Sequence, residues 1–236
     1  MEKQSPDSVS DIQYQFYYRG YSGKLSEVLP DESKILPSSR YKRILSYLPP
    51  GDQLLDVGCN DGLFLYLARS RFNHLHGVDI VSNRLAQAET WSRLAGIEMQ
   101  LHCMNIDVEP LPYPADTFDA VVCIAVLEFV FDPVHAIQEM GRVLKPGGAL
   151  GLQLGNIASW RNRMRLLAGR QPWTTRFQGA WNGGALHYFV RNELQSLLKR
   201  EGFILFKNNC SGRLYHIRSL WPALLGSDMI IMAHKR

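Results

Sequence analysis

The chain has 236 residues, 46% of them hydrophobic and 20% charged, with a formal net charge of +4. That length suits one large α/β domain with a sizeable core, and the balance excludes a disordered or fibrous chain. So small a net charge singles out neither nucleic acid nor membrane as a partner, and no DNA is expected.

Met1 to Ser10 is polar and has no apolar core segment, which argues against a secretory leader. The longest strongly apolar run, Ala120 to Phe131, contains Glu128 and is too short to span a bilayer. Cys59, Cys103, Cys123 and Cys210 include no close pair. A reduced, cytoplasmic protein without a structural metal site is expected.

Residues 1–37 read as an N-terminal extension. Its first ten residues suggest disorder, and Tyr14, Phe16, Tyr17, Tyr18 and Tyr21 then suggest an aromatic lid. Residues 38–236 read as the main domain. Ser38 to Tyr47 carries Tyr41, Ile44, Leu45 and Leu48 at helical spacing and is stopped by Pro49-Pro50-Gly51. From there strands and helices alternate. Strands are expected at Gln53–Val57, Leu75–Val78, Gln100–Met104, Phe118–Ile124 and Ala149–Leu154. Helices are expected from Gly62 to Ala68, from Asn83 to Ala95 with Gly96 as stop, and from Val134 to Val143. Asp132 should cap the last of these, with Pro133 in its first turn. A helix over 191–200 and strands at Phe203–Lys207 and Met229–His234 complete the pattern. The spacing predicts a Rossmann-like, seven-stranded, mostly parallel sheet with helices on both faces. The stretch 155–187 is too long for a bare connection and reads as an insertion on the carboxyl side of the sheet, where acceptors bind.

Leu54 to Gly62 is the most informative segment. A buried strand runs into a glycine-bearing turn that opens a helix, and Asp79 follows at the tip of the next strand. Dinucleotide sites use G-x-G-x-x-G to seat pyrophosphate on the helix terminus. Here Gly58 and Gly62 give only G-x-x-x-G, while Asp56 and Asp61 would repel a phosphate. A cationic or zwitterionic nucleoside suits this wall, with Asp79 accepting from the ribose hydroxyls. S-adenosylmethionine has that chemistry.

From Leu54 to Leu154 the chain resembles the class I S-adenosylmethionine-dependent methyltransferases. Their D-x-G-x-G-x-G motif corresponds to Asp56-Val57-Gly58-Cys59-Asn60-Asp61-Gly62, with Asn60 at the middle glycine; asparagine tolerates the left-handed region better than most residues. Gly77-Val78-Asp79 matches the ribose-binding acid. Asp107, within Asn105–Glu109, matches the acid that holds the adenine amino group. Leu111-Pro112-Tyr113-Pro114 followed by Thr117-Phe118-Asp119 resembles L-P-F-P…S-F-D. Val126-Leu127-Glu128-Phe129 followed by Asp132-Pro133 resembles V-L-E-H…D-P, with Phe129 replacing the histidine. Arg142 to Gly148 matches R-V-L-K-P-G-G. The resemblance implies that Asp56, Gly58, Cys59, Asn60, Gly62, Asp79, Ile80, Ile106, Asp107 and Ile124 bind the cofactor, with Ile80 and Ile106 around the adenine. Asn156, Trp160 to Arg163, Leu166 to Pro172 and His187-Tyr188-Phe189 also resemble the methionine-biosynthesis MetW proteins and methyltransferases of polysaccharide and natural-product pathways. The MetW likeness implies an alternative: a non-catalytic partner regulating an acyltransferase.

Methyl transfer to oxygen or nitrogen benefits from a general base. His187, where the insertion returns to the domain, is the candidate, against a packing or capping role. Glu128 could orient acceptor or cofactor, or serve as a structural partner of the Asn60 turn. His216 is a lesser candidate, and with Phe129 in place of histidine, placement may carry most of the catalysis. The acceptor is expected to be a small molecule, anionic or sugar-bearing given Arg161, Arg163, Arg165, Arg170 and Arg176 in the insertion. A solvated helix face, lipid contact through Trp160, Leu167 and Trp173, and RNA binding remain open, and oligomeric state is not legible.

Overall fold

The helix before the first strand forms because Ser39 ends an extended stretch and its side chain caps Lys42 N–H. In the computed structural model, which describes residues 25–172 and 185–236, this helix is α1 (Arg40–Tyr47). It is followed by β1 (Gly51–Val57), α2 (Leu63–Ala68), β2 (Phe72–Asp79), α3 (Ser82–Ala95), β3 (Met99–Cys103), β4 (Phe118–Ile124) and α4 (Pro133–Val143). Then come β5 (Leu144–Gly155), α5 (Trp160–Leu167), α6 (Arg191–Arg200), β6 (Phe203–Asn209), α7 (Tyr215–Arg218), α8 (Pro222–Leu225) and β7 (Asp228–Lys235). The expected aromatic lid, Trp173 and Arg176 lie outside the described residues.

The strands form one seven-stranded sheet in the order β3-β2-β1-β4-β5-β7-β6. All neighbouring pairs are parallel except those made by β7, which runs antiparallel to β5 and β6. The order reverses between β1 and β4, so the crevice of this sheet opens at their carboxyl ends.

Both faces of β4 are covered, which explains its almost continuous apolar sequence. Phe118, Val121 and Cys123 join one core with Ile137, Met140 and Val143 of α4 and Leu194 and Leu198 of α6. Ala120, Val122 and Ile124 join the other, with Ile44 of α1, Phe64 and Leu65 of α2 and Leu85 and Ala88 of α3. Each large apolar side chain so buried contributes roughly 1.5–3 kcal/mol.

Asp132 caps α4 by accepting from Val134 and His135 N–H, with Pro133 in the first turn, as expected. Gly96 stops α3 in the left-handed region. Most expected boundaries shift by a residue or two, and two differ more. β2 begins at Phe72, because Gly51 already pairs with Phe72 although Asn73 and His74 are polar and exposed. β5 begins at Leu144, which faces Phe118, and the pairing resumes with Ala149 opposite Ala120. Lys145-Pro146-Gly147-Gly148 is therefore an irregularity within the strand edge rather than a stop before it. The short helices α7 and α8 carry no strong periodicity and were not expected.

Two family-like motifs act as braces. Arg142 bonds Glu139 and donates to the carbonyls of Leu111 and Tyr113, while Glu139 accepts from Leu111 N–H. That fixes the Leu-Pro-Tyr-Pro loop. Asp119 accepts from Asp52 and Gln53 N–H and pairs with Lys145 at 2.6 Å, at the amino end of β1.

Candidate functional site

The turn after β1 is built from two residues in the left-handed region that glycine favours, Gly58 (φ 78°) and Gly62 (φ 75°), with Asn60 (φ 53°) between them. Asn60 thus adopts the left-handed conformation that let it replace a glycine. A Cβ on Gly58 would lie 2.1 Å from Val126 Cγ2, so this glycine is needed for packing beneath the turn.

The turn's amides are already used. Gly58 and Cys59 N–H both donate to Val78 O, at 2.8 and 3.0 Å, and Gly62 N–H donates to Cys59 O at 2.9 Å. Asn60 N–H donates to Asp79 Oδ2 at 2.8 Å. No cradle of convergent, available N–H groups remains among these four residues for a phosphate. What the crevice offers instead is a cluster of acidic groups that a bound cation would hold ionised. Asp56 is 2% exposed and its Oδ1 is buried without a hydrogen-bond partner. Burial, then the charges of Asp79 and Asp61, push its carboxyl up to about 8, with Arg40 acting in the opposite sense. Burial likewise raises Asp61 and Asp79.

Asp79 does double service. Its Oδ2 holds the β1 turn and its Oδ1 accepts from Val81 N–H at 2.9 Å. A carboxylate has about four acceptor positions, so capacity is left for a ribose hydroxyl. Asp107 Oδ1 accepts from Phe131 and Asp132 N–H, tying the segment after β3 to the entry of α4. Ile106 and Ile124 are buried, and Ile80 is half-buried beside Asp79. Cys59 is buried against Gly77, where a Cβ would lie 2.7 Å from its Sγ.

Glu128 lies beyond β4. Its Oε1 accepts from Gly155 N–H at 2.6 Å and its Oε2 is buried without a partner. This carboxyl braces β4 to the end of β5, so its structural partner is Gly155 rather than the Asn60 turn. Burial raises it as well. Its backbone carbonyl accepts from Leu186 and His187 N–H, which brings His187 beside the crevice. His187 Nε2 lies 3.1 Å from Phe131 O. A carbonyl only accepts, so Nε2 is the donor and Nδ1 carries the lone pair of the neutral ring. His216 sits on α7, tilted against the Tyr215 ring and exposed.

Two residues escaped the sequence reading. Ala125 (φ 58°) turns the chain as it leaves β4 and donates to Gln153 O at 2.8 Å. No side-chain chemistry announces such a position. Arg40 favours the charged forms of both Asp56 and Glu128. Its signal was topological: α1 leads directly into β1, so the first residue of that helix returns to the carboxyl end of the strand.

The profile of a family described as a methyltransferase domain matches residues 55–152. A S-adenosylmethionine-dependent methyltransferase from Methanosarcina mazei is 26% identical, covering 82% of this chain and 96% of that one, with a TM-score of 0.60. Over residues 55–152 the chain is similar to this methyltransferase domain, and its fold is that of the class I S-adenosylmethionine-dependent methyltransferases. The tRNA U34 carboxymethyltransferase of Shewanella woodyi is 34% identical over 48% of this chain and 35% of its own length. The ubiquinone biosynthesis O-methyltransferase of Idiomarina loihiensis is 32% identical over 47% and 46%. The chain thus spans less than half the length of these two relatives. The [4+2]-cyclase SpnF has the same fold, with 18% identity, 99% coverage of both chains and a TM-score of 0.66.

The donor set suits the superfamily's cofactor. A sulfonium and an ammonium would suit its unpartnered carboxylate oxygens, and ribose hydroxyls would suit acceptor positions of Asp79. A dinucleotide's pyrophosphate would find the N–H groups of Gly58, Cys59, Asn60 and Gly62 already taken.

Proposed function

We propose that this chain transfers the methyl group of S-adenosylmethionine to an oxygen or nitrogen of a small-molecule acceptor. The observation that carries the reading is the switch-point crevice, where the turn amides are used and the unsatisfied groups are carboxylate oxygens. When bound, S-adenosylmethionine supplies a methyl group activated on a positively charged sulfur.

In this reading Asp79 orients the ribose, while Ile80 and Ile106 flank the adenine. Asp107 accepts from the adenine amino group while still holding the α4 entry. Gly58, Cys59, Asn60, Gly62 and Ile124 line the crevice, and Asp56 and Glu128 supply a negative field. Arg40 pairs with the carboxylate of the amino-acid portion. His187 Nδ1 takes the proton of the acceptor as the new bond forms. Most of the rate enhancement comes from holding acceptor and methyl group in line, and the base adds roughly 10²–10⁴-fold. The basic insertion at 155–187 favours an anionic or sugar-bearing acceptor. Relatives named for ubiquinone biosynthesis and for 27-O-demethylrifamycin SV support small-molecule acceptors. Four unpaired cysteines are consistent with a cytoplasmic setting.

The relative named for tRNA U34, together with the arginines of α5, favours RNA as a second reading. Salt-steep RNA binding would support it. Under the alternative of a catalytically silent partner protein, no cofactor would bind. Calorimetric titration of the full chain with S-adenosylhomocysteine separates the cases. Saturable binding that Asp79→Asn weakens at least tenfold, followed by methyl transfer in an acceptor screen, is expected. Absence of any binding heat would reject the enzyme reading.

A further inference from the structure

Two connections leave the same edge of the sheet and share one composition. β5 and β6 both run antiparallel to β7, so they end together on the carboxyl edge. The connection after β5 leads through α5 to α6, and the connection after β6 leads through α7 and α8 to β7. Asn156 joins the two. Its Nδ2 donates to the carbonyls of Ala223 and Gly226, at 3.0 and 2.9 Å, and its N–H donates to Ser227 O at 3.0 Å.

Neither stretch, Asn156 to Val190 nor Gly202 to Ser227, contains an Asp or Glu, although the chain has 22 acids. They do contain Arg161, Arg163, Arg165, Arg170, Arg213 and Arg218. Arg163 and Arg165 donate through Nε to the carbonyls of Ala158 and Gln171, neutral acceptors that leave the positive charge in place.

Apolar side chains stand exposed among these cations. On α5, Trp160, Met164 and Leu167 follow one another at helical spacing with 46, 56 and 81% exposure. Across the Asn156 junction, Leu220 is 84% and Trp221 61% exposed. A helix that merely faced water would carry polar residues at such positions. Arginines surrounding exposed Trp and Leu are the pattern of an element lying in a lipid interface. Nucleic acid would use the arginines but would gain nothing from Leu167 and Leu220.

We propose that this edge docks on an anionic phospholipid surface, with Trp160, Leu167, Leu220 and Trp221 entering the acyl boundary and the arginines on the headgroup phosphates. No described helix is long and apolar enough to cross a membrane, so the chain lies on the surface and does not span it at this face. Docking also turns the carboxyl edge, where the crevice opens, towards the bilayer. The proposal concerns where the chain sits and does not rest on methyl transfer.

Co-sedimentation of the full chain with phosphatidylcholine vesicles, with mixed phosphatidylcholine–phosphatidylglycerol vesicles, and in parallel a filter assay with bulk tRNA, tests it. Binding to the mixed vesicles, but not to phosphatidylcholine alone, is expected. Each arginine near an anionic surface is worth about fivefold in affinity, so Arg161→Glu with Arg163→Glu should weaken vesicle binding at least tenfold. Leu167→Glu with Leu220→Glu should weaken it at least tenfold too, with an unchanged melting temperature. If that pair melts early, Leu167→Ser with Leu220→Ser reads the same insertion. Unaltered binding by a folded leucine variant would reduce the contact to diffuse charge attraction and overturn the proposal. So would failure to sediment with the mixed vesicles, and tRNA binding in place of vesicle binding would assign the face to nucleic acid instead.

Discussion

Replacing Asp56 with Asn measures what the buried acid does to the fold. Its carboxyl is raised from 3.8 to about 8, first by burial and then by Asp79 and Asp61. A group that ionises later in the native state than in the unfolded chain holds its proton longer when folded. Stability from this group is therefore greatest below the unfolded value near 4, falls as pH rises towards about 8, and then levels off. Within that window each unit of pH removes about 1.4 kcal/mol. From about pH 5 to about pH 8 the loss approaches 4 kcal/mol, large against a total stability of roughly 5–15 kcal/mol. Asp56→Asn has no proton to lose and should lack this component. It keeps the smaller ones from Asp61, Asp79 and Glu128, whose carboxyls burial also raises. Urea unfolding followed by circular dichroism across that pH range gives both curves. The variant's decline should be smaller by about 4 kcal/mol. Curves that run parallel to within about 1 kcal/mol, the value of less than one unit of pH, would refute the assignment of the buried charge to Asp56.

The same ionisation should be visible in ligand preference. S-adenosylmethionine carries a sulfonium charge that S-adenosylhomocysteine lacks, so its relative affinity should rise as pH passes through about 8, and a flat ratio by calorimetry would separate Asp56 from the sulfonium. Gly58→Ala meets Val126 Cγ2 at 2.1 Å and keeps a φ of 78°; overpacking and left-handed strain together should cost about 3 kcal/mol in thermal unfolding. Adding Val126→Ala should relieve only the clash, so an undisturbed single variant would show that the turn can move away. Asp132→Ala removes the acceptor of two N–H groups at α4 and should lower stability by about 1 kcal/mol with binding of S-adenosylhomocysteine unchanged. His187→Ala should lower kcat by roughly 10²-fold or more; full activity would remove the base and leave placement alone.

The strands and the covering of both sheet faces were legible because alternation and helical spacing report burial directly. Phe118 to Ile124 is one example, apolar on both faces because both faces are covered. Boundaries set by backbone pairing were less legible: Asn73 and His74 are polar, yet they lie within β2 because its pairing with β1 begins at Phe72. The site's placement in the fold was readable where chemistry and spacing coincide, as at Asp56, Gly58 and Asp79, which come together at the end of β1. It was not readable where one residue has a task in three dimensions only. Asp107 and Glu128 look like ligand-binding acids in the sequence, yet each also clamps backbone segments far away in the chain, Phe131–Asp132 and Gly155. Arg40 precedes the first motif and gains its relevance only through the path of α1.

Several unfavourable features among the described residues fall on one short arc. Asn60 and Ala125, two of its left-handed residues without the freedom of glycine, flank the ends of β1 and β4. Asp56 and Glu128 place unpartnered carboxylate oxygens on the same strand ends. A left-handed alanine costs roughly 1–2 kcal/mol, and an unpaired buried polar atom roughly 1–3 kcal/mol. None of these groups improves packing, and the two cores that offset them lie on either side of the sheet. Strain persists where the surrounding structure over-determines it, and it gathers where a ligand supplies what the protein withholds. A cation at the switch point would neutralise the acids in place, with no rearrangement of the strands that carry them. That is why the crevice, rather than the basic helices beside it, is the proposed centre of this chain's chemistry.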